Sequence, residues 1–455
     1  MQFQSLYFCF YRRQTSLKFI SALILSFSIM LSFTPIAYAE NSLPPDVRGE
    51  GAYLIDVLSG QAIFMKNPDE QFAPASTTKI MTGLLAIENG NFDDIVTASD
   101  TMLNNKLVYG TQIYLEPEEK LAFKDLLYAT LLNSANDAAV ALAEHVGNDL
   151  PHFVEMMNQR ASDIGASQTH FVNPTGLTET GHLTTPHDLA LIARAAYQNP
   201  IFAEFVRTKT QPISRSKPDV PVLMVNQNKL LWRDAAIDGI KLGYTEVAKN
   251  CLVASATKDG RHLIGVILKS PGSEIYTDMQ KMFEYGFTQF ATKTFKPAGT
   301  AISSITVNDQ PVDLIIDRPI YMTQKLNEQQ EMLNLRVSPS SASQLTSVEE
   351  GQAVAQVEIL DGETHLDTFP LVASRSVQPD PDKKTSGSAF FTWIIGTILL
   401  AGAFFLIVSL NNKRNKTRYW RRQVRRSRRE NHSELVGLKL NIETSVGEST
   451  PTEVK

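Results

Sequence analysis

The chain has 455 residues, a length typical of two or three domains. Of these residues 43% are hydrophobic and 20% are charged, and this composition is typical of a folded protein and excludes a disordered one. Its net charge of −5 is unevenly distributed: residues 1–39 carry +3 and residues 411–455 carry +7, which leaves about −15 for residues 40–410. An acidic central part argues against nucleic-acid binding there.

Residues 1–39 predict a secretory signal peptide. A basic segment comes first, and the apolar run FISALILSFSIMLSFTPIAYA follows it and ends in small residues at Ala37 and Ala39. A basic segment, an apolar segment and an Ala-x-Ala ending are the parts of a cleavable signal, so we expect cleavage before Glu40. An uncleaved N-terminal anchor is the alternative.

Residues 40–295 contain strand patterns at both ends and helix patterns between them. GAYLIDVLSGQAIFMKNP predicts a β-hairpin that turns at Ser59-Gly60, and PASTTKIMTGLLAIENG predicts a helix. Further helices are predicted at 123–132, 137–146, 151–164, 187–198 and 278–292, and adjacent antiparallel strands at 237–245, 250–257 and 262–269. This order predicts one α/β domain, whose single sheet is built from both ends of the segment and covered by helices.

The rest of the chain predicts a small domain and a membrane anchor. Residues 296–375 carry strand and turn patterns with little helix, which predicts an all-β domain, and residues 376–387 predict a linker. Residues 388–410 carry no charge and are long enough to cross a bilayer as one helix. A buried core helix is the alternative. Ten Lys or Arg residues follow directly, so we expect residues 411–455 to form a cytoplasmic tail and the large domains to lie outside the cell.

The chain contains two cysteines, and one of them, Cys9, lies in the predicted signal. Cys251 is therefore alone in the mature chain, so no internal disulfide is expected. It lies in the apolar run CLVASAT, which is typical of a small core residue.

The spacing Ser-x-x-Lys occurs where a helix is predicted and also where none is. Residues i and i+3 share one face only on a helix. Prolines flank Ser214, and Ser255 lies on a predicted strand. The three pairs are Ser76–Lys79, Ser214–Lys217 and Ser255–Lys258. Only the first pair is expected to bring its two side chains together.

Ser76 next to Lys79 is a candidate nucleophile with its base. A serine hydroxyl needs a base within hydrogen-bond reach, and a lysine can act as that base when burial or nearby positive charge keeps it neutral. The first turn of a helix also offers backbone N–H groups that can hold an oxyanion. The alternative is a helix cap at Ser76 or Thr77 with a solvated Lys79, and the motif alone favours that alternative.

Two further stretches strengthen the catalytic interpretation. NSAND places Ser134 and Asn136 in a break between two predicted helices, where a hydroxyl could relay a proton and an amide could hold a substrate carbonyl. DGIKLGYT places Lys241 and Gly243 on a strand, where a lysine could bind a carboxylate and a glycine could admit another backbone. The alternatives are a helix N-cap at Asn136 or Asp137 and a solvated lysine.

Ser-x-x-Lys, Ser-x-Asn and Lys-x-Gly in this order resemble the signature of penicillin-binding proteins and class A β-lactamases. The chain resembles the D-alanyl-D-alanine carboxypeptidases of peptidase family S11, the low-molecular-weight penicillin-binding proteins, over nearly all of residues 45–375. Stretches such as THFVNPTGLTETGHLTTPHDLALIARAA and IDGIKLGYTEVAKNCLVASATKDGRHLIGVIL carry the resemblance. It implies a serine β-lactamase/penicillin-binding-like α/β (α+β) domain with an antiparallel sheet covered by helices, followed by the small all-β domain and one C-terminal transmembrane helix.

The resemblance implies a catalytic role for three residues. Ser76 would attack the carbonyl of the penultimate D-alanine and form an acyl-enzyme. Lys79 would take its proton. Ser134, with the Asn136 amide, would complete the proton path and hold the peptide, and water would then release the shortened peptide.

The resemblance also implies the substrate-binding residues and the partners. Lys241 would attract the terminal carboxylate, Gly243 would admit a close backbone, and the backbone N–H groups of Ser76 and Tyr244 would form the oxyanion hole. The implied partners are a peptidoglycan stem peptide ending in D-Ala-D-Ala, β-lactam antibiotics and the membrane. No metal, organic cofactor or nucleic acid is implied.

Leu242 departs from the family pattern, which has Thr or Ser at this position. A hydroxyl there would share the substrate carboxylate with Lys241, and a hydrogen bond to a charged group contributes about 1.5–3 kcal/mol. We therefore expect weakened or altered activity. The remaining alternatives are a non-catalytic wall-binding homologue, which only Leu242 favours, and a β-lactamase, which the absence of a Glu-x-x-Leu-Asn segment between Ser134 and Lys241 disfavours.

Overall fold

The computed structural model describes residues 43–217, 219–328, 332–338 and 345–379. The predicted signal peptide, transmembrane helix and cytoplasmic tail, with most of the linker, lie outside these residues. Among the helices that the structure describes, none has the length and apolar character that a membrane span requires.

The described strands are Gly51–Asp56 (β1), Ala62–Lys66 (β2), Ile95–Thr97 (β3), Lys120–Ala122 (β4), Thr210–Pro212 (β5), Leu223–Val225 (β6), Ile237–Thr245 (β7), Lys249–Lys258 (β8), Arg261–Ser270 (β9), Phe290–Lys296 (β10), Ala301–Val307 (β11), Gln310–Ile316 (β12), Ile320–Lys325 (β13), Asn334–Val337 (β14), Ala353–Asp361 (β15) and Thr364–Ala373 (β16). The described α-helices are Lys79–Asn89 (α1), Asn105–Val108 (α2), Phe123–Leu131 (α3), Asn136–Gly147 (α4), Leu150–Ile164 (α5), Pro186–Gln198 (α6), Pro200–Arg207 (α7), Leu230–Arg233 (α8) and Ile275–Gln289 (α9). Short 3-10 helices occupy Ala75–Thr78 and Asp100–Leu103.

One antiparallel sheet of five strands, in the order β2-β1-β9-β8-β7, forms the centre of the first domain. Its first hairpin comes from the N-terminal end of the domain and its other three strands come from the C-terminal end, because β1 pairs with β9. The prediction of one sheet built from both ends is therefore confirmed. Helix α6 contacts β9 and β1, and α9 contacts β9 and β8, so helices cover the sheet as predicted.

Helix α1 is the central helix of this domain. Nine of its eleven residues are buried, which explains why its sequence is apolar on nearly every side. It contacts helices α3, α4 and α6, and this large apolar cluster fixes the helix on which the candidate base lies.

One predicted helix ends earlier in the structure, and one helix of eight residues was not predicted. The closing helix ends at Gln289, and Phe290–Lys296 forms a strand that pairs with Ile320–Lys325, so the prediction of a helix to residue 292 is wrong. Alternating threonines in FATKTFK suit a strand, and a partner strand thirty residues later supplies the hydrogen bonds. A second helix, Pro200–Arg207, was missed; the Asn199 side chain accepts from its first N–H groups, as an N-cap does.

The chain after β10 forms the β-rich domain that the sequence predicts. Its main sheet has the strand order β11-β12-β16-β15-β14, and no helix is assigned within its described residues. Apolar side chains such as Leu314, Val357 and Leu371 form a separate core.

Polar contacts join this β-rich domain to the first one. The Arg194 guanidinium donates to the Val57 carbonyl at 2.9 Å and to the Asp367 carboxylate at 3.0 Å. Gln61 donates to the Asp361 carboxylate at 2.8 Å. The guanidinium therefore connects both domains at a point where it is almost fully buried.

Candidate active site

Ser76 lies in a 3-10 helix, Ala75–Thr78, that leads directly into α1 at Lys79. A 3-10 helix has three residues per turn, so side chains at i and i+3 lie directly above one another. The Lys79 Nζ atom lies 3.2 Å from Ser76 Oγ. No side-chain cap hydrogen bond begins either helix, so the capping alternative for Ser76 and Thr77 is not observed.

Lys79 is fully buried and has three hydrogen-bond partners. Its Nζ donates to Asn136 Oδ1 at 2.6 Å and to the Thr175 carbonyl at 2.7 Å, and its third contact is Ser76 Oγ. The first two partners can only accept. A neutral amine has two hydrogens and one lone pair, so when both hydrogens are donated to these acceptors the lone pair faces the Ser76 hydroxyl. This is the arrangement that a general base requires.

The surroundings of Lys79 favour that neutral amine. Burial is the main cause that lowers the pKa of Lys79 well below its ordinary value, and the positive charge of Lys241 lowers it further. The Asp137 carboxylate acts in the opposite direction, but backbone N–H groups of Ile113, Leu115 and Ala138 donate to it. The net effect is a lysine poised to accept a proton.

Ser134 and Asn136 lie where α4 begins. Ser134 has a left-handed backbone, with φ of +64°, and it is buried. Its hydroxyl makes no hydrogen bond to any residue of the described chain, so it remains available to a substrate. The N-cap position of α4 is Ala135, without a side-chain cap, so neither Asn136 nor Asp137 caps this helix.

Asn136 contacts Lys79, and sequence reasoning missed this contact. Its Oδ1 accepts from Lys79, and its Nδ2 donates to the Tyr109 carbonyl. The Tyr109 contact fixes which end of the amide faces the lysine. The side chain was expected to hold a substrate carbonyl, and its Nδ2 keeps a second hydrogen for that purpose.

Strand β7 passes next to Ser76. A Cβ atom added at Gly243 would lie 2.6 Å from the Ser76 backbone nitrogen and 3.1 Å from that of Thr77. The prediction that a glycine here admits another backbone is confirmed. Tyr244 is the next residue of this strand, and its side chain is exposed.

Lys241 is a buried cation on the same strand. Burial lowers its pKa to about 7, and its side chain is only 2% exposed. Within the described residues, its Nζ has one hydrogen bond, to the Leu242 carbonyl at 3.0 Å. The solvated alternative for this lysine is therefore wrong, and hydrogens on Nζ remain for a ligand.

Leu242 faces the other side of the sheet. In the β7–β8 pairing Lys241 lies opposite Val253, whereas Leu242 lies opposite Leu252. Directly opposed residues of antiparallel strands share a face. Val253 belongs to the large core that also contains Ala75 and Ile80, and Leu242 packs with Leu252 against the cluster that includes α9.

A loop at 173–176, which sequence reasoning missed, contacts Lys79. Its Thr175 carbonyl accepts from Lys79. Asn173 Oδ1 accepts from the backbone N–H groups of Thr175 and Gly176, and a Cβ added at Gly176 would lie 1.8 Å from the Ala75 carbonyl oxygen. The NPTG sequence is a turn signal, but nothing in it indicates contact with a residue almost a hundred positions earlier.

His182 contacts both Val172, just before this loop, and Thr78, in the turn that carries Ser76. Its Nδ1 accepts from the Val172 N–H at 2.9 Å, so its Nε2 carries the proton and donates to Thr78 Oγ1 at 2.8 Å. Burial, together with the charges of His170 and Lys79, lowers the pKa of His182 to about 4. The histidine is therefore neutral at neutral pH and braces the turn that carries Ser76.

The other two Ser-x-x-Lys pairs have ordinary structural contacts. Ser255 Oγ donates to the Asp238 carboxylate at 2.5 Å. Lys217 forms an ion pair with Glu116. Neither serine contacts its lysine.

Cys251 is buried, as the sequence predicts, and burial raises the pKa of its thiol to about 12. Among the described residues, no group of three or more His, Cys, Asp or Glu side chains could hold a metal ion.

Comparison with known proteins gives matches along most of the chain. A family described as D-alanyl-D-alanine carboxypeptidase, Peptidase_S11, matches residues 38–272, and one described as Penicillin-binding protein 5, C-terminal domain, matches residues 290–379. The D-alanyl-D-alanine carboxypeptidase DacF of Bacillus subtilis is 30% identical over 84% of this chain and 98% of its own length. The corresponding enzyme DacA of Haemophilus influenzae is 27% identical over 85% of this chain and 98% of its own length.

A solved structure is similar in fold as well as in sequence. It is penicillin binding protein 5 from Haemophilus influenzae, which superposes with a TM-score of 0.59 at 26% identity. The superposition covers 74% of this chain and all of the other. It therefore extends over more than the segment that contains the first sheet.

Proposed function

Because the chain belongs to peptidase family S11, the D-alanyl-D-alanine carboxypeptidases, we propose that Ser76 is the residue that forms the acyl-enzyme. The protein is a serine-type D-alanyl-D-alanine carboxypeptidase, a hydrolase that releases the terminal D-alanine of its peptide substrate. The observation that supports Ser76 is its 3.2 Å contact with the buried amine of Lys79. A stem peptide of peptidoglycan as substrate, and β-lactams as covalent ligands, fit this family.

Acylation begins when Ser76 Oγ attacks the carbonyl carbon of the penultimate D-alanine. Lys79 Nζ takes the hydroxyl proton through its free lone pair. The negative charge that develops on the carbonyl oxygen is held by the backbone N–H groups of Ser76 and Tyr244. The tetrahedral intermediate then expels D-alanine as the C–N bond breaks. Ser134 relays to the leaving nitrogen the proton that Lys79 took from Ser76, so that the Ser134 hydroxyl and the neutral amine of Lys79 are both restored.

Substrate binding and deacylation complete the cycle. Lys241 attracts the terminal carboxylate while its ammonium is charged, and the carboxylate in turn favours that charged form. After D-alanine leaves, water attacks the ester carbonyl, and Ser76 is released with the shortened peptide acid. A β-lactam follows the acylation step by opening its ring, and the ester then hydrolyses slowly because no leaving group departs.

The assignment is tested with fluorescent penicillin and a D-Ala-D-Ala pentapeptide. The unmodified enzyme is expected to take up the label covalently and to release D-alanine. Ser76→Ala is expected to do neither, whereas the matched control Ser214→Ala should behave like the unmodified enzyme. Labelling of Ser76→Ala would overturn the assignment. Absence of labelling in the unmodified enzyme would favour a non-catalytic homologue, and rapid loss of the label would favour a β-lactamase.

We further propose that the enzyme is exported and anchored by a single C-terminal helix. The uncharged segment 388–410 and the ten basic residues that follow it support this topology, and the segment 1–39 has the parts of a cleavable signal. The catalytic domain would then lie outside the cell and the tail inside. Cell fractionation tests this. The full chain is expected in the membrane fraction and a chain truncated after residue 387 in the soluble exported fraction; a soluble full chain contradicts the proposal.

A further inference from the structure

Residues 109–115, an irregular stretch, hold the first residue of α4. The Thr111 carbonyl accepts from the Asn136 backbone N–H at 2.8 Å, and the Tyr109 carbonyl accepts from the Asn136 side chain. The other end of that side chain accepts from Lys79 at 2.6 Å. The position of this stretch therefore sets the direction of the amide that faces Lys79.

The same stretch also holds Asp137, a buried carboxylate. Both of its oxygens accept from the Ile113 N–H at 3.1 Å, and Oδ2 accepts from the Leu115 N–H at 2.9 Å. A carboxylate that is taken out of water needs such donors, because an unpaired buried charge is costly. The donors also offset part of a negative charge that raises the pKa of Lys79. The stretch thus acts on Lys79 through two neighbouring residues of α4.

A guanidinium from the segment between β5 and β6 holds the carbonyls of this stretch. Arg215 Nη1 donates to the Ile113 carbonyl at 2.7 Å, and Nη2 donates to the Tyr114 carbonyl at 3.3 Å. Nε and Nη2 also donate to the Glu119 carboxylate, at 2.7 and 3.0 Å. The Arg215 and Glu119 side chains are 0% and 2% exposed, so water does not compete for these contacts. Ile113 is therefore held at its N–H by Asp137 and at its carbonyl by Arg215.

The backbone of the stretch is one that needs support from its surroundings. Tyr114 has a left-handed conformation, with φ of +60°, and its side chain is 62% exposed, so side-chain packing contributes little to holding it. A residue other than glycine keeps this conformation only where its surroundings fix it. The Arg215 contact with the Tyr114 carbonyl supplies such a constraint. The arginine's own segment is anchored next to it, where the Ser214 N–H donates to the Asp125 carboxylate at 3.0 Å.

We infer that Arg215 is a positioning residue for acylation: by holding residues 113–115 it fixes the stretch on which Asn136 and Asp137 rest, and through them the amine of Lys79. The guanidinium contacts neither Ser76 nor Lys79 within the described chain, so its effect is indirect. It comes from a part of the sequence, SRSK, whose own Ser-x-x-Lys pair makes no mutual contact. The inference rests on the proposed role of Lys79 as the base.

The first test is a pair of substitutions that preserves the balance of charge. Arg215→Gln together with Glu119→Gln removes the guanidinium without leaving a buried charge unpaired. With the full-chain enzyme and fluorescent penicillin, we expect the acylation rate to fall by about tenfold to about a hundredfold, because a misplacement of about 1 Å can cost about a hundredfold in rate. The rise of the rate with pH should also move to higher pH, since fewer donors offset the Asp137 charge. Lys241, which also lowers the pKa of Lys79, is unchanged in this variant.

Two single variants separate geometry from charge. Arg215→Lys keeps the positive charge, but an ammonium cannot reproduce the planar fork that serves two carbonyls and a carboxylate. It should show most of the loss in acylation rate. Glu119→Gln leaves the guanidinium in place on the two carbonyls, so its rate should stay close to that of the unmodified enzyme. If the double variant fails to fold, Arg215→Lys still decides the matter.

Arg160→Gln is the matched control. Arg160 forms a bidentate ion pair with Glu88, at 3.1 and 2.7 Å, and Glu88 lies at the end of α1 opposite to Lys79. Loss of this pair should lower the thermal midpoint and leave both the acylation rate and its pH profile unchanged. A purely structural role for Arg215 would give that same result.

Three outcomes would overturn the inference and leave the proposed function intact. One is an unchanged acylation rate and pH profile in the charge-balanced double variant. Another is an Arg215→Lys enzyme that is acylated normally, and the third is a shift of the same size in Arg160→Gln. Failure of the unmodified enzyme to be acylated would instead overturn the proposed function.

Discussion

Asn136 Oδ1 lies 2.6 Å from Lys79 Nζ, and this contact determines the direction in which the lysine presents its lone pair. With the Thr175 carbonyl as the second acceptor, both hydrogens of a neutral amine are directed away from Ser76. The side chain that the sequence suggested as a substrate contact is therefore also a partner of the base. Its amide is neutral, so it orients Lys79 without stabilising the protonated form as an anion would.

Asn136→Asp places a carboxylate next to Lys79, and an adjacent anion raises the pKa of a lysine. Acylation needs the neutral amine, which is present only above that pKa. We expect the rise of the acylation rate with pH to move to higher pH, and the rate on the acid side of that rise to fall about tenfold for each unit by which the pKa of Lys79 increases. Stopped-flow measurement with fluorescent penicillin from pH 5 to pH 10 gives both quantities.

Asn148→Asp is the control for this prediction, because Asn148 follows α4 with φ of +65° and aspartate tolerates that conformation. Its profile should match that of the unmodified enzyme. An Asn136→Asp profile that also coincides with it would show that the amide does not tune the base.

Gly243→Ala should separate the strand from the nucleophile. The new Cβ would lie 2.6 Å from the Ser76 backbone nitrogen, so strand and turn must move apart by a few tenths of an ångström or more. Such a shift disturbs both the oxyanion donors and the hydroxyl, and removing one oxyanion donor typically costs about a hundredfold or more in rate. We expect a loss of that order in penicillin acylation, with a folded protein by circular dichroism. Gly260→Asn, in a turn where an added Cβ meets nothing within 4 Å, should acylate at the normal rate.

Leu242→Thr is expected to leave carboxypeptidase turnover unchanged, because position 242 faces the side of β7 opposite to Lys241. The hydroxyl is therefore not directed at a carboxylate that Lys241 binds, which corrects the expectation from the family pattern. The substitution also removes apolar packing against the cluster that includes α9. A modestly lower thermal midpoint should accompany the unchanged turnover.

Leu242→Val separates the effect of lost packing from that of the added hydroxyl, since valine has nearly the shape of threonine without its hydroxyl. It should share both the loss of stability and the unchanged turnover. A gain of about tenfold in kcat/KM with threonine but not with valine, the size expected of one hydrogen bond to a charged group, would refute the prediction.

His182 should make the stability of the enzyme depend on pH between about 4 and 6.5. Burial lowers the pKa of His182 to about 4 in the folded chain, whereas an unfolded histidine has a pKa near 6.5. The unfolded state therefore binds more protons in this range, so stability rises with pH and its full contribution is present above about 6.5. The largest expected change in the free energy of unfolding is roughly 3 kcal/mol.

Urea unfolding at several pH values measures this change. His182→Gln should lose most of the pH dependence in that range, whereas His365→Gln, at an exposed position of the second domain, should keep it. An unchanged slope in His182→Gln would exclude His182 as its cause.

Local patterns were sufficient for much of the fold. The N-terminal hairpin, the buried helix after Ser76 and the three consecutive strands were all predicted from periodicity, because each pattern reflects which side of one element is buried. The same reasoning separated Ser76–Lys79 from the Ser214 and Ser255 pairs. The boundary at residue 290 failed because the strand that begins there depends on a partner, β13, that lies thirty residues later.

The sequence by itself determined that a serine and a lysine lie one turn apart and that Lys241 and Gly243 lie on a strand. Only the tertiary structure decided that Asn136 and Thr175 hold the lysine, that His182 braces the turn, and that Leu242 faces away from Lys241 into apolar packing. The physical reason is how far apart along the chain the contacting residues lie. Spacing along a helix or strand follows from backbone geometry, whereas Lys79 meets partners 57 and 96 residues away, and only the packing of the whole domain brings them to it.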